Sequence, residues 1–118
     1  MIFELCIPGQ PVPKGRPRFW KGHAVTPKCT RDYERIVCEL VKHKMSRMLV
    51  GDLKVSIDFY SADKRHRDLD NMVKSITDAC NGVLFKNDVQ ITEMHLSKDI
   101  DKEYPRAVIT VEELPDGL

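Results

Sequence analysis

Asp68, Asp70 and Asp88 are the residues whose type and spacing most directly suggest chemistry. The first two stand in Arg67-Asp68-Leu69-Asp70-Asn71, after the basic run Lys64-Arg65-His66-Arg67; the third stands in Lys86-Asn87-Asp88-Val89-Gln90. Carboxylates pressed together repel unless a cation or a proton intervenes. Hard oxygen donors favour Mg²⁺, with Mn²⁺ as a substitute. A Mg²⁺ site keeps waters and is completed by substrate phosphate, so two or three protein carboxylates suffice. Such a metal would polarise a phosphoryl group, activate a water as nucleophile and stabilise the leaving 3′-oxygen. That chemistry is phosphodiester hydrolysis. The same residues also allow a plain structural reading, with Asp70 as a helix N-cap and Asp68 as a solvated loop acid.

Cations surround these acids. Lys74 follows Asp70 by one helical turn, where it would meet a phosphate oxygen, and Lys64, Arg65 and Arg67 read as phosphate clamps. Farther upstream, Lys14, Arg16, Arg18 and Lys21 accompany Phe19 and Trp20. The cations read as DNA contacts; the aromatics read equally as stacking platforms for unpaired bases or as caps on the core. Net charge is only +1, but residues 1–49 carry a balance of +6 and the remainder −5. The basic half suits a phosphate backbone, and the acidic half holds the aspartates. His66 is the histidine nearest these acids, although a metal-activated water makes a histidine base unnecessary.

Regular elements must position these groups. Ile2 to Ile7 alternates as a strand. A loop rich in proline and glycine follows, from Pro8 through Pro17, at a density that excludes regular structure. Thr30 is the expected N-cap of a helix reaching about Leu49, with Asp32 and Glu34 in its first turn and Lys42, Lys44 and Arg47 near its end. Its apolar stripe is Tyr33, Ile36, Val37, Leu40, Val41 and Met48. Leu53, Val55, Ile57 and Phe59 alternate as a half-buried strand. A second helix is expected over Asn71 to Val83, with Met72, Val73, Ile76, Ala79, Cys80 and Val83 in one arc and Asp70, Lys74, Asp78 and Asn81 opposite. Residues 90–100 give a weaker strand and 106–113 a clearer one. The order β-α-β-α-β-β implies an α+β fold: two helices packed on one side of a small, mostly antiparallel or mixed sheet.

The 118 residues, 42% hydrophobic, fit one domain, spanning residues 1–118, with one modest core. A domain this small gains stability by association. No apolar run approaches the roughly 18 residues of a membrane span, and the first residues lack the pattern of a signal peptide. A cytoplasmic location is expected. Cys6, Cys29, Cys38 and Cys80 form no close pair, which argues against zinc and redox motifs. Cys6 and Cys80 are expected in the core. No Gly-rich cofactor loop or nucleophile motif points to a small-molecule enzyme.

Asp68-Leu69-Asp70-Asn71-Met72-Val73-Lys74, then Asp78, then Asn87-Asp88-Val89-Gln90, resembles the signature of the RusA family of Holliday-junction resolvases, often encoded by phages and prophages. The run from Pro8 to Arg18 resembles the early loop of many members, and the similarity covers nearly the whole chain. The resemblance implies a homodimeric, Mg²⁺-dependent endonuclease of mixed α/β fold that binds four-way DNA junctions and makes paired nicks, a step in DNA recombination and repair. It implies Asp68, Asp70 and Asp88 as metal ligands and Lys74 as the functional lysine. Asn71 and Asp78 match the motif as supporting positions, Asp78 either as a partner of Lys74 or as a solvated helix acid. Many members carry a second Asp where this chain has Asn87. Two rivals stand beside this reading: a nuclease for flaps or forks, and a catalytically silent DNA-binding module.

Overall fold

Alternation dictates the sheet. In the computed structural model, which describes residues 1–115, strand β1 (Ile2–Pro8) buries Phe3, Leu5 and Ile7 and exposes the residues between them. Three further elements precede the centre of the sheet: strands β2 (Arg18–Trp20) and β3 (His23–Val25), then helix α1 (Lys28–Lys44). Strand β4 (Leu53–Ser61) is followed by helix α2 (Leu69–Cys80), a single 3-10 turn (Asp88–Gln90), and strands β5 (Ile91–Ile100) and β6 (Arg106–Glu113). The main sheet has the order β1-β6-β4-β5. Its first three strands are antiparallel, while β5 runs parallel to β4. Parallel neighbours need a long crossover, and α2 lies within that crossover.

Register stacks the core in rows. Phe3, Val111 and Val55 pair across the sheet, as do Leu5, Ile109 and Ile57, and Ile7, Ala107 and Phe59. All nine side chains are buried on the face that meets Tyr33, Val37 and Val41 of α1 and Met72, Val73, Ile76 and Ala79 of α2. The opposite face carries Glu4, Cys6, Ser56 and Asp58, none of them buried. The architecture is therefore α+β with a mixed sheet.

Several boundaries differ from expectation. Helix α1 begins at Lys28 with Pro27 at the N-cap, and no acid stands in its first turn. Thr30 lies inside the helix, fully buried, where its hydroxyl accepts from the Gly15 N–H at 3.0 Å and donates to the Pro13 carbonyl at 3.3 Å. The helix stops at Lys44 instead of near Leu49 because Met45 turns extended. Leu49 is buried separately, its N–H bonded to the Leu84 carbonyl. Met48 and Ile36 are exposed rather than part of the apolar stripe. Cys6 also is exposed, since it shares the Glu4 face of β1. Cys80 is buried, and burial pushes its thiol up to about 12.

A β-hairpin follows the proline-rich loop, over residues for which no strand is expected. Arg18 pairs with Val25, Phe19 with Ala24 and Trp20 with His23. Lys21 and Gly22 form its two-residue turn, both with positive φ, at 50° and 79°. That backbone suits the right-handed twist of a hairpin, and glycine adopts it without a steric penalty.

The proline-rich segment before the hairpin is a strap. The Lys14 N–H donates to the Asn71 carbonyl at 2.7 Å, and the Ser75 hydroxyl donates to the Val12 carbonyl at 2.7 Å. The Gln10 amide oxygen accepts from the Ala62 N–H at 2.8 Å. The segment thus ties α1, α2 and the end of β4 together. Gly15 sits so close to α1 that a Cβ there would meet Pro27 Cγ at 2.7 Å.

Candidate functional site

Helix α2 places Asp70, Lys74 and Asp78 at intervals of four residues, one above another along a single stripe. Asp68 takes the N-cap position, where its carbonyl accepts from the Met72 N–H at 3.0 Å, but its side chain caps nothing. The carboxylate instead stands exposed, 3.7 Å from His66 Nε2. Asp70 lies in the first turn rather than at the cap, favourably placed against the helix dipole. Among the described residues, no side chain pairs with Asp70 or Asp88.

Asp88 is held by the turn that carries it. The Asn87 side chain accepts from the Val89 N–H at 3.0 Å, and the Gln90 side chain accepts from the Asn87 N–H at 3.1 Å. This reciprocal pair is a capping box. The Gln90 amide also donates to the Gly51 carbonyl at 3.0 Å. Asn87 and Gln90 therefore set the orientation of the turn, leaving the Asp88 carboxylate uncommitted. Asp88 and Lys74 line one cleft of about 330 Å³ between α2 and the start of β5, with Val73, Thr77 and Glu93 also in its walls.

A line of charges backs Lys74. Its Nζ is 3.6 Å from one Asp78 oxygen, while the other Asp78 oxygen takes Lys14 Nζ at 3.1 Å. Lys14 Nζ also donates to Glu34 at 2.6 Å. Burial works to lower the Lys14 pKa, and the Glu34 and Asp78 carboxylates outweigh it and hold the ammonium above its ordinary value. Lys14 is consequently spent inside the fold. Asp78 is the link between Lys14 and Lys74.

The basic run divides in the same way. Arg67 is largely buried and donates to Asp63 at 2.9 Å, and its carbonyl accepts from Lys98 Nζ at 2.8 Å. The Arg67 guanidinium, then the Arg65 N–H, hold the Asp63 carboxyl below its ordinary value. Arg67 braces the loop, whereas the Lys64 and Arg65 side chains stay exposed. Arg65, His66 and Arg67 border a second recess, of about 520 Å³, shared with Asp68, Asn71 and Lys14. Arg16, Arg18 and Lys21 are exposed near the hairpin and have no ion pair among the described residues. Sequence reasoning missed Lys98, Glu34 and Gln10; the parallel pairing of β5 that brings Lys98 opposite Phe59 has no local signal.

The structure therefore brings Lys74 and Asp88 into one cleft, sets Asp70 one turn before Lys74, and opens Asp68 onto a separate recess. Among the described residues no group of three or more His, Cys, Asp or Glu side chains stands close enough to hold a metal ion. Asp70 and Asp88 are unpaired carboxylates, the hard oxygen donors that a small divalent cation takes, but the described residues do not gather them with Asp68 into one set.

Comparison with known proteins agrees with the resemblance in the motifs. Residues 8–112 match the family described as Endodeoxyribonuclease RusA. The chain is 32% identical to the "Crossover junction endodeoxyribonuclease RusA" of Aquifex aeolicus (strain VF5), over 92% of this chain and 89% of that protein. It is 25% identical to the "Uncharacterized protein YqaN" of Bacillus subtilis (strain 168), over 94% of this chain and 96% of its relative. The matched region runs from the end of β1 to the end of β6 and takes in α2, the 3-10 turn and the cleft between them, so this chain belongs to the RusA family of endodeoxyribonucleases.

Proposed function

We propose that the protein is a Mg²⁺-dependent, structure-specific endonuclease that resolves four-way DNA junctions by paired, symmetric nicks, acting as a homodimer. The observation that carries this reading is the cleft that Lys74, one helical turn after Asp70, lines together with Asp88. A relative named as a crossover junction endodeoxyribonuclease, aligned over most of both chains, supports the substrate.

Asp70 and Asp88, with Asp68, would hold the ion. When bound, it supplies charge neutralisation at the scissile phosphate and activation of the attacking water. Lys74 places its ammonium where negative charge grows on the phosphoryl oxygens; a donor aimed there lowers the barrier without reorganisation during reaction. Asp78 limits where that ammonium can reach, because Lys14 holds Asp78 from the other side. Arg16, Arg18, Lys21, Lys64 and Arg65 would attract the DNA backbone. Hydrolysis leaves 5′-phosphate and 3′-hydroxyl ends, which a ligase can seal. Two equivalent strands require two equivalent cuts, and a two-fold dimer supplies two sites in matching symmetry.

The test is cleavage of an end-labelled, mobile four-way junction, with matched duplex and flap controls, with and without Mg²⁺. Symmetric nicks confined to the junction and lost in EDTA are expected. Preferential cutting of flaps or forks would reassign the substrate. Tight binding without cutting, under Mg²⁺ and Mn²⁺ alike, would leave a silent DNA-binding module.

A further inference from the structure

The β2–β3 hairpin is the part of the molecule least accounted for by folding. It forms its own two-stranded sheet, separate from the main one. Isolated two-stranded hairpins are marginally stable, and an exposed apolar tip does nothing to improve them. Yet Phe19 is 81% exposed and Trp20 68% exposed. Phe19 pairs with Ala24 and Trp20 with His23 across the ribbon.

The charges around these rings are of one sign. Lys21 Nζ stands 6.0 Å from the centroid of the Trp20 ring. A recess of about 530 Å³ between the hairpin and the start of α1 is bordered by both aromatics together with Arg18, Lys28 and Arg31, and no carboxylate lines it. Lys28 pairs with Asp32, whereas Arg18 and Arg31 are free of ion pairs among the described residues. The recess also faces the N-terminal end of α1, whose first turn carries no acid. A helix N-terminus favours negative charge.

We propose that this hairpin is a stacking platform for unpaired nucleobases of DNA, with Arg18, Lys21 and Arg31 holding the adjoining phosphates. The inference rests on the proposed action on DNA and names the part of the branched substrate that the hairpin meets. Flat exposed rings offer a surface that any base can stack on, and the cations match the backbone that carries those bases. A paired duplex hides its base faces and offers only phosphates, so the platform distinguishes branch points from continuous helix.

Trp20 is the only tryptophan in the chain and reports its own contact. The full-length protein in EDTA would be titrated with an oligo(dT) strand, a four-way junction and a matched duplex. Trp20 emission and the anisotropy of labelled DNA would be followed together. Quenching is expected with the strand and the junction but not with the duplex, even where anisotropy shows the duplex bound. Trp20→Ala should lose roughly tenfold or more in affinity for the strand while keeping its affinity for duplex and its melting temperature, since the hairpin lies outside the core. Equal quenching by duplex, or binding without quenching by any DNA, would overturn the proposal. So would a DNA-independent dimer that Trp20→Ala dissociates, which would make this surface a contact between copies of the chain. Junction cutting in Mg²⁺ without quenching would sink the hairpin's role alone, and quenching without cutting would sink the nuclease reading alone.

Discussion

Replacing Lys14 with methionine separates a phosphate contact from an internal brace. Lys14 Nζ lies 2.6 Å from Glu34 and 3.1 Å from Asp78, and the three side chains are 21%, 22% and 23% exposed. Fully exposed ion pairs contribute about 1 kcal/mol or less, whereas removing one partner of a buried pair costs about 3–5 kcal/mol. This half-sheltered site falls between those limits, at about 2 kcal/mol, because the substitution removes the cation shared by Glu34 and Asp78 and leaves only Lys74, 3.6 Å from Asp78, to offset their repulsion. Methionine keeps most of the aliphatic stem, so lost packing adds little. For a chain of this length the melting temperature should fall by roughly 8 °C. Adding Glu34→Gln to Lys14→Met should restore part of that loss by relieving the repulsion. Lys14 has a raised pKa, so its contribution is complete below the ordinary lysine value and disappears as pH rises through the higher folded value. Thermal melting checks the stability, and junction binding at several salt concentrations checks the alternative role. A lysine that contacts phosphate lowers the salt slope by about one unit when removed. An unchanged melting temperature together with a shallower slope would refute the brace and return Lys14 to the DNA-binding surface.

Asp70→Asn should abolish junction cleavage in Mg²⁺ while binding holds or improves, since it removes a negative charge near the phosphate; full cutting in a gel assay would take Asp70 out of the mechanism. Lys74→Ala should slow single-turnover cleavage on the order of a hundredfold or more, the scale of losing one transition-state donor, with a much smaller change in junction affinity; matching losses in both would reduce Lys74 to an anchor. At the other end of the fold, Arg47 grips both Glu113 oxygens at 2.6 and 2.8 Å, and the Val50 N–H adds a bond at 2.8 Å. The Arg47 contact, then the Val50 N–H, hold the Glu113 carboxyl at about 2. Its stabilisation is therefore complete above the ordinary glutamate value and is lost as pH falls through about 2. Glu113→Gln should flatten the fall in melting temperature below pH 4.5, and an unaltered acid limb would count against that carboxylate as its source.

The legible parts of this fold are those where burial is local and periodic. Phe3-Leu5-Ile7, Leu53 to Phe59 and Ala107-Ile109-Val111 alternate because one face of each strand is covered, and Met72-Val73-Ile76-Ala79 recur at helical spacing because α2 covers that face. The pattern weakens along β5, an edge strand whose residues are mostly exposed, and it misleads after Lys44, where Leu49 is apolar because it is buried in the core from a segment bridged to Phe85 rather than from a helix. Proline and glycine from Pro8 to Pro17 concealed the hairpin that follows, although the glycine after Lys21 carried the signal of a two-residue turn. The site divides along the same line. Spacing alone places Asp70, Lys74 and Asp78 on one stripe, because a helix converts sequence interval into position. No interval indicates that Lys14, from a strap 64 residues before Asp78, occupies the far oxygen of that carboxylate, or that Arg67 is spent on Asp63. A cation count therefore overstates the surface available to DNA: of the seven Lys and Arg residues expected to bind it, Lys14 and Arg67 already have carboxylate partners in the folded chain. The charges that remain uncommitted, Arg16, Arg18, Lys21, Lys64 and Arg65, lie on the hairpin side and on the loop before α2. Under the proposed action on DNA, those two places, rather than the basic composition of the first half, are where a phosphate backbone would be held.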